Sequence, residues 1–160
     1  MAEAISNTSP LLYLFRIGAL EWLAKLFDEV WVPGAVIAEL NLGEVRGFTV
    51  PRPSHYSWIR QVEPRSLPSE WLALDLGPGE LAAMALALEH PERVVLLDDA
   101  QARRVAQAAG LTVWGTLKIL LEGKGRGLTD LVAPWLDRLI MAGMWLSPEI
   151  RQRILKLAGE

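Results

Sequence analysis

Ile5-Ser6-Asn7-Thr8-Ser9-Pro10 leads into the apolar run Leu11-Leu12-Tyr13-Leu14-Phe15, and this passage decides how the chain is read. A short apolar lead-in followed by small polar residues marks a buried strand ending where a helix begins. Ser9 is a good helix N-cap, and Pro10 then falls at the first helical position, where its missing N–H costs nothing. On that reading Asn7 and Thr8 stand at the carboxyl end of the strand. In open parallel α/β sheets ligands bind at that end.

The rest of the chain repeats the alternation. A helix over 10–17 stops at Gly18, and a second, 20–27, carries Leu20, Leu23, Ala24 and Phe27 on one face. A strand at 29–32 feeds a helix over 33–42 that turns Val36, Ile37 and Leu40 inward and carries Glu39. Residues 43–57, with two glycines and two prolines, read as a loop with extended pieces. A strand at 58–62 and a short helix at 69–74 follow. Gly77-Pro78-Gly79-Glu80 opens the clearest helix, which runs to Glu89 and has Glu80 in its first turn. Val94-Val95-Leu96-Leu97 is a continuous apolar run, as strands buried on both faces show. Asp98-Asp99 ends it, and a helix over 100–109 follows. The last strand, 112–114, ends at Gly115-Thr116, and a helix covers 117–122. Gly123-Lys124-Gly125-Arg126-Gly127 reads as a flexible basic loop, with helices at 130–142 and 147–157 beyond it. Strands alternating with helices imply βαβ units, a mainly parallel sheet and right-handed crossovers. Residues 1–128 are expected to form the α/β domain and residues 129–160 a helical extension packed on it. Trp135, Leu139, Ile140, Met144 and Trp145 in that extension either cover the sheet or face a second copy or a partner; internal packing is the expected choice.

With 160 residues, 51% of them hydrophobic and 22% charged, the chain can bury a sizeable core. It has no cysteine, which excludes disulfides, thiolate metal sites and a cysteine nucleophile, and fits a cytoplasmic location. The start of the chain lacks the pattern of a signal peptide. The most apolar late stretch, 131–146, has Asp137 and Arg138 at its centre, so it reads as a packed helix and no membrane association is expected. A net charge of −3 disfavours a protein that lives by non-specific nucleic-acid binding. Of its basic residues 12 are Arg and 4 are Lys, which suits planar recognition of phosphates and equally suits a GC-rich genome.

On a parallel sheet, Asn7, Asp98-Asp99 and Gly115-Thr116 share one rim. Glu39 and Glu80 complete the set of acidic and polar candidates. Hard divalent cations take oxygen ligands, and a rim with three carboxylates would hold one or two ions able to activate a water and clamp a phosphate. Without a cation such a cluster is costly, since two like charges 4 Å apart repel by about 4 kcal/mol at an effective dielectric near 20. Each residue also has a plainer role. Asn7 can bond its own turn, Glu39 can be an exposed helix residue, and Glu80 can complement a helix N-terminus. Asp98-x-x-Gln101 resembles a capping box, which would make Asp98 the cap and leave Asp99 to face the rim. Gly77-x-Gly79 lacks the rest of either nucleotide fingerprint. His55 and His90 stand too isolated to form a metal site or a catalytic base.

The order Ile5-Ser6-Asn7-Thr8-Ser9-Pro10, Val32-Pro33 with Glu39-Leu40, Leu76-Gly77-x-Gly79-Glu80, Leu97-Asp98-Asp99 with Ala102-Arg103, and Gly115-Thr116 resembles a PIN-like domain. More narrowly it resembles a prokaryotic group related to VapC toxins. The resemblance covers nearly the whole chain. It implies a three-layer α/β/α sandwich with a central sheet of about five strands, followed here by C-terminal helices. It also implies an endoribonuclease site dependent on Mg²⁺ or Mn²⁺. By position Asn7 stands where the family carries its first acid. Glu39, Glu80 and Asp99 match the remaining acids and are the implied metal ligands. Thr8 or Ser9 matches the small hydroxyl residue, with Asp98 and Thr116 as secondary members of the rim. RNA is the implied substrate and a small antitoxin the implied partner; a homodimer or higher homo-oligomer is also expected. Arg46, Arg52, Arg60, Lys124 and Arg126, with Tyr56 for stacking, are candidate RNA contacts; an ordinary solvated surface is their plainer reading. Asn7 departs from the pattern and favours a second function, a catalytically impaired module that binds protein or RNA. A phosphatase would need an Asp nucleophile where Asn7 stands, and a nucleotide-binding domain would need a complete phosphate loop.

Overall fold

The structure, a computed structural model, describes residues 2–160. Five strands form one sheet: β1 (Ala2–Ser6), β2 (Phe27–Val32), β3 (Ile59–Gln61), β4 (Val94–Leu96) and β5 (Val113–Trp114). Their order is β3-β2-β1-β4-β5, and every pairing is parallel. The chain builds outward from β1 in one direction through β2 and β3, then crosses to the other side of β1 for β4 and β5. The strand order therefore reverses between β1 and β4, whose register pairs Ala4 with Val94, Ile5 with Val95 and Ser6 with Leu96. That switch point is where a parallel sheet opens a crevice at its carboxyl rim.

Eight α-helices cover the two faces: α1 (Thr8–Ile17), α2 (Trp22–Leu26), α3 (Gly34–Val45), α4 (Pro78–Glu89), α5 (Ala100–Ala108), α6 (Thr116–Gly125), α7 (Ala133–Met141) and α8 (Pro148–Leu157). Side chains alternate across a strand, so neighbouring residues feed separate cores. Ala4, Val94 and Leu96 join the larger cluster, with Leu11 and Leu14 of α1, Leu23 of α2 and Leu136 of α7. Ile5, Val95 and Leu97 point the other way, onto Met84 and Leu86 of α4 and Ala102 and Ala106 of α5. Both faces of the central strands are thus covered, which is why the apolar runs are continuous and not alternating. This is the α/β/α sandwich that the resemblance implies. Ile154 of α8 also belongs to the larger cluster, and Lys124 of α6 donates to the Ala158 carbonyl at 2.6 Å and to Glu160 at 3.0 Å. No helix among the described residues is long and apolar enough to cross a membrane.

Several local expectations are corrected; α3, for one, continues to Val45, so 43–45 is helix and not the start of the loop. Helix α1 begins at Thr8, and Asn7, not Ser9, occupies its N-cap position. Pro10 falls within the first turn, where backbone N–H groups have no intrahelical acceptor and the ring is tolerated. Another correction concerns residue 27: Phe27 opens β2 and is not the end of a helix. At the end of β4 the roles of the two acids are exchanged. Asp99 caps α5, accepting from the Ala102 N–H at 2.9 Å, while Asp98 turns to Thr116 at the start of α6. Finally, 123–125 is helix and not loop. Gly123 is buried there against Trp22, and a Cβ on it would lie 2.4 Å from that indole ring.

Candidate active site

The end of β1 passes directly into α1, and the backbone N–H of Asn7 continues the ladder by bonding the Leu96 carbonyl at 3.1 Å. This fixes Asn7 at the switch point. Asn at an N-cap normally accepts from the first-turn N–H groups. Here the side chain makes no capping bond; it is 5% exposed, and Oδ1 is buried with no partner.

Glu80 lies three residues past Gly77, the N-cap of α4, and its Oε1 accepts the Gly77 N–H at 3.2 Å. Its other oxygen, Oε2, is also buried without a partner. Burial pushes the Glu80 carboxyl above its ordinary range. The Gly77 bond pulls the other way, and the charges of Asp99 and Glu39 add to the rise.

Glu39 reaches the same rim from the middle of α3. Its Oε2 accepts the Thr8 hydroxyl at 2.8 Å and its Oε1 accepts the Gly79 N–H at 2.8 Å. Gly79 makes the approach possible, since a Cβ there would lie 2.5 Å from Glu39 Oε1. Glu39 therefore ties the start of α1 to the start of α4. Asp98 performs the matching task on the other side. It accepts the Thr116 N–H and hydroxyl, each at 2.7 Å, and the Ser9 hydroxyl at 3.1 Å. Ser9, Asp98 and Thr116 thus tie the starts of α1 and α6 to the end of β4. Asp99, exposed, lines the cleft in front of them together with Asn7 and Glu80.

That cleft has a volume of about 670 Å³. Arg103 and Lys118 line it as well, and sequence reasoning missed both as site residues. Arg103 is one helical turn beyond Asp99 and donates to the Leu97 carbonyl at 3.2 Å. Gly115 gives it room, since a Cβ there would lie 2.4 Å from its guanidinium. Lys118 pairs with Glu122 at 2.9 Å. The Asp99-x-x-x-Arg103 spacing could have pointed to the first; nothing local marks the second.

None of the six residues expected to contact RNA lines this cleft. Arg52 is paired with Glu44 at 2.6 Å, and Arg60 lies 3.9 Å from Glu29. The Tyr56 ring sits 5.4 Å from that of Trp58. Lys124 is held by the chain end, while Arg46 and Arg126 are exposed just past α3 and α6.

Among the described residues no three His, Cys, Asp or Glu side chains converge as a ready-made metal cluster. The donor chemistry nevertheless fits a hard cation. Two unpartnered buried oxygens, on Asn7 and Glu80, border the cleft that Asp99 also lines. Mg²⁺ characteristically takes one or two carboxylates and keeps several waters, so a closed cage of acids is not required.

No curated protein matches the chain. A family model described as a PIN domain matches residues 3–160, nearly its whole length. The fold and this match agree: the chain belongs to the PIN-domain family.

Proposed function

We propose that the protein is an endoribonuclease dependent on Mg²⁺ or Mn²⁺, with Glu80 and Asp99 as the carboxylates that hold the ion and Asn7 Oδ1 as a neutral third donor. The observation that carries this reading is the pair of buried, unpartnered oxygens at the switch-point cleft. An unsatisfied buried polar atom costs roughly 1–3 kcal/mol, and a ligand bound there would remove the cost. A divalent cation at this place supplies positive charge to a phosphate and acidifies a coordinated water. The chain's own residues do the rest. Glu39 holds Thr8 and the amino end of α4 in place, so that Glu80 and Asn7 face the same space. Asp98 ties the starts of α1 and α6 to the end of β4. Arg103 and Lys118, lining the cleft with the acids, attract the RNA backbone into it. The resemblance in motif order to VapC-related proteins supports a role as the toxin of a toxin–antitoxin pair, with the antitoxin as protein partner and self-association through exposed apolar residues outside the cleft.

Incubation with single-stranded and structured RNAs in Mn²⁺ tests the reading. Cleavage should occur and should fall at least 100-fold in Asp99→Asn, as expected for loss of a charged group acting at the reacting centre. If no RNA is cleaved and Mn²⁺ leaves the melting temperature unchanged, the nuclease reading fails. A second reading is favoured by one residue: Asn7, where the family's first acid would stand, fits a PIN domain retained as a module that binds RNA or protein. That reading predicts RNA or partner binding without cleavage, and no gain of cleavage in Asn7→Asp.

A further inference from the structure

Trp145 lies in the linker between α7 and α8 and lines the same cleft. Its neighbours Met144 and Leu146 pack against the larger core cluster, while Trp145 between them is 81% exposed. The ring is therefore anchored on both sides along the chain and still presented to solvent. The other six tryptophans behave differently. Trp22 and Trp71 are buried, and Trp31, Trp58, Trp114 and Trp135 are half-buried, each with a ring or cation contact. Trp145 alone has neither burial nor such a partner among the described residues. Leaving the largest apolar side chain in water forgoes a large burial gain.

The cleft lining is mixed: Asn7, Glu80, Asp99, Arg103 and Lys118 are polar or charged, Leu121, Met144, Leu146 and Ile150 are apolar, and Trp145 adds an open aromatic face. A purely apolar protein segment would match only the second set. A nucleotide matches both, having an anionic phosphate and a flat base. We propose that Trp145 is a stacking platform for an unpaired base of single-stranded RNA whose phosphate lies against Arg103 and Lys118. The inference rests on the RNA reading above and deepens it: duplex RNA keeps its bases stacked inside the helix and cannot offer a free face to Trp145, so the site selects single strands.

The test measures binding separately from cleavage. Fluorescence anisotropy of a labelled single-stranded RNA, and of the same sequence as a duplex, is followed with the full chain in Ca²⁺ and again in EDTA. Wild type, Trp145→Ala and Trp145→Phe are compared after circular dichroism shows that they fold alike. Trp145→Ala should weaken single-strand binding roughly 5- to 150-fold, the range that base–aromatic stacking spans. Phe should restore most of it, and duplex binding should be weak and unchanged by either substitution. The proposal is overturned by a Trp145→Ala protein that binds single strands as wild type does. It is equally overturned by a wild type that binds no single strand in either condition, the result expected if the face serves a protein instead. Cleavage with an unchanged KM in Trp145→Ala would remove this inference and leave the nuclease reading standing. Trp145-dependent binding without cleavage would do the reverse.

Discussion

The two rims of the sheet treat charge in opposite ways. At the amino rim Arg93 enters just before β4 and is 3% exposed. Its guanidinium pairs with Glu3 at 3.0 Å, donates to the Ala4 carbonyl at 3.1 Å and stacks 3.3 Å above the Trp31 ring. Burial pulls its pKa down while Glu3 and Glu29 hold it up, so the cation is kept charged by paired acids. At the carboxyl rim Glu39, Glu80, Asp98 and Asp99 gather, and none forms an ion pair among the described residues. Glu39 and Asp98 are satisfied by neutral donors. Glu80 and Asn7 each keep a buried oxygen with no partner. Arg93 Nε is also buried without a hydrogen-bond partner, yet its guanidinium charge is paired with Glu3, whereas among the described residues no cation pairs the acids of the carboxyl rim. One rim is neutralised by its own ion pair; the other leaves its negative charge open to a positive ligand.

Breaking the neutralised rim should give the largest effect. Arg93→Met removes the charge, the stack and the bond to Ala4, and should cost on the order of 3 kcal/mol. Thermal melting should show a fall of roughly 10 °C for a chain of this size, with cleavage below the transition retained. The open rim should respond less, and with a dependence on metal. Asn7→Asp adds an acid beside Glu80 and Asp99; without metal it should destabilise by about 1–2 kcal/mol through like-charge repulsion. Melts in EDTA and in Mn²⁺ should differ more for this variant than for wild type, and its cleavage should be at least as fast.

The smallest effect is a gain that depends on pH. Because the Glu80 carboxyl is held above its ordinary range, the metal-free folded state binds that proton more tightly than the unfolded chain does. Its contribution to stability is present below the unfolded-state pKa and is lost as pH rises through the folded-state value. Glu80→Gln keeps an oxygen for the Gly77 N–H and removes the charge. In EDTA the variant should melt higher than wild type at pH 7.5, and the two should converge near pH 4.

Much of this architecture is legible in the sequence because the apolar runs and glycine stops follow the backbone's own periods. Val94-Val95-Leu96-Leu97 and the stop at Gly18 are local signals with local causes. Boundaries were less legible where two local signals compete. Ser9-Pro10 looks like a helix start, yet any position in the first turn tolerates proline, so the helix begins two residues earlier at Thr8. Asp98-x-x-Gln101 looks like a capping box, yet Asp98 finds stronger donors on Thr116, leaving Asp99 to cap. Gly123 and Gly125 look like loop residues, but Gly123 is what allows α6 to lie against Trp22. At the site, Asn7, Glu80 and Asp99 were identifiable from their places at strand ends and in a first helical turn. Arg103 was marked only by its spacing from Asp99, and Lys118 and Trp145 by nothing local, because α5, α6 and the α7–α8 linker meet at the cleft only through tertiary packing.

Whether the unpartnered oxygens of the carboxyl rim form a cation site is decided by Mn²⁺ titration followed by thermal melting, with wild type and Glu80→Gln side by side at pH 7.5. Saturating Mn²⁺ at about 100 times its Kd would stabilise the folded protein by about 2.7 kcal/mol, a rise of several degrees. A cation site there gives that rise in wild type and a much smaller one in Glu80→Gln, reversing their order in EDTA. Equal rises in both proteins, or none in either, would rule the site out.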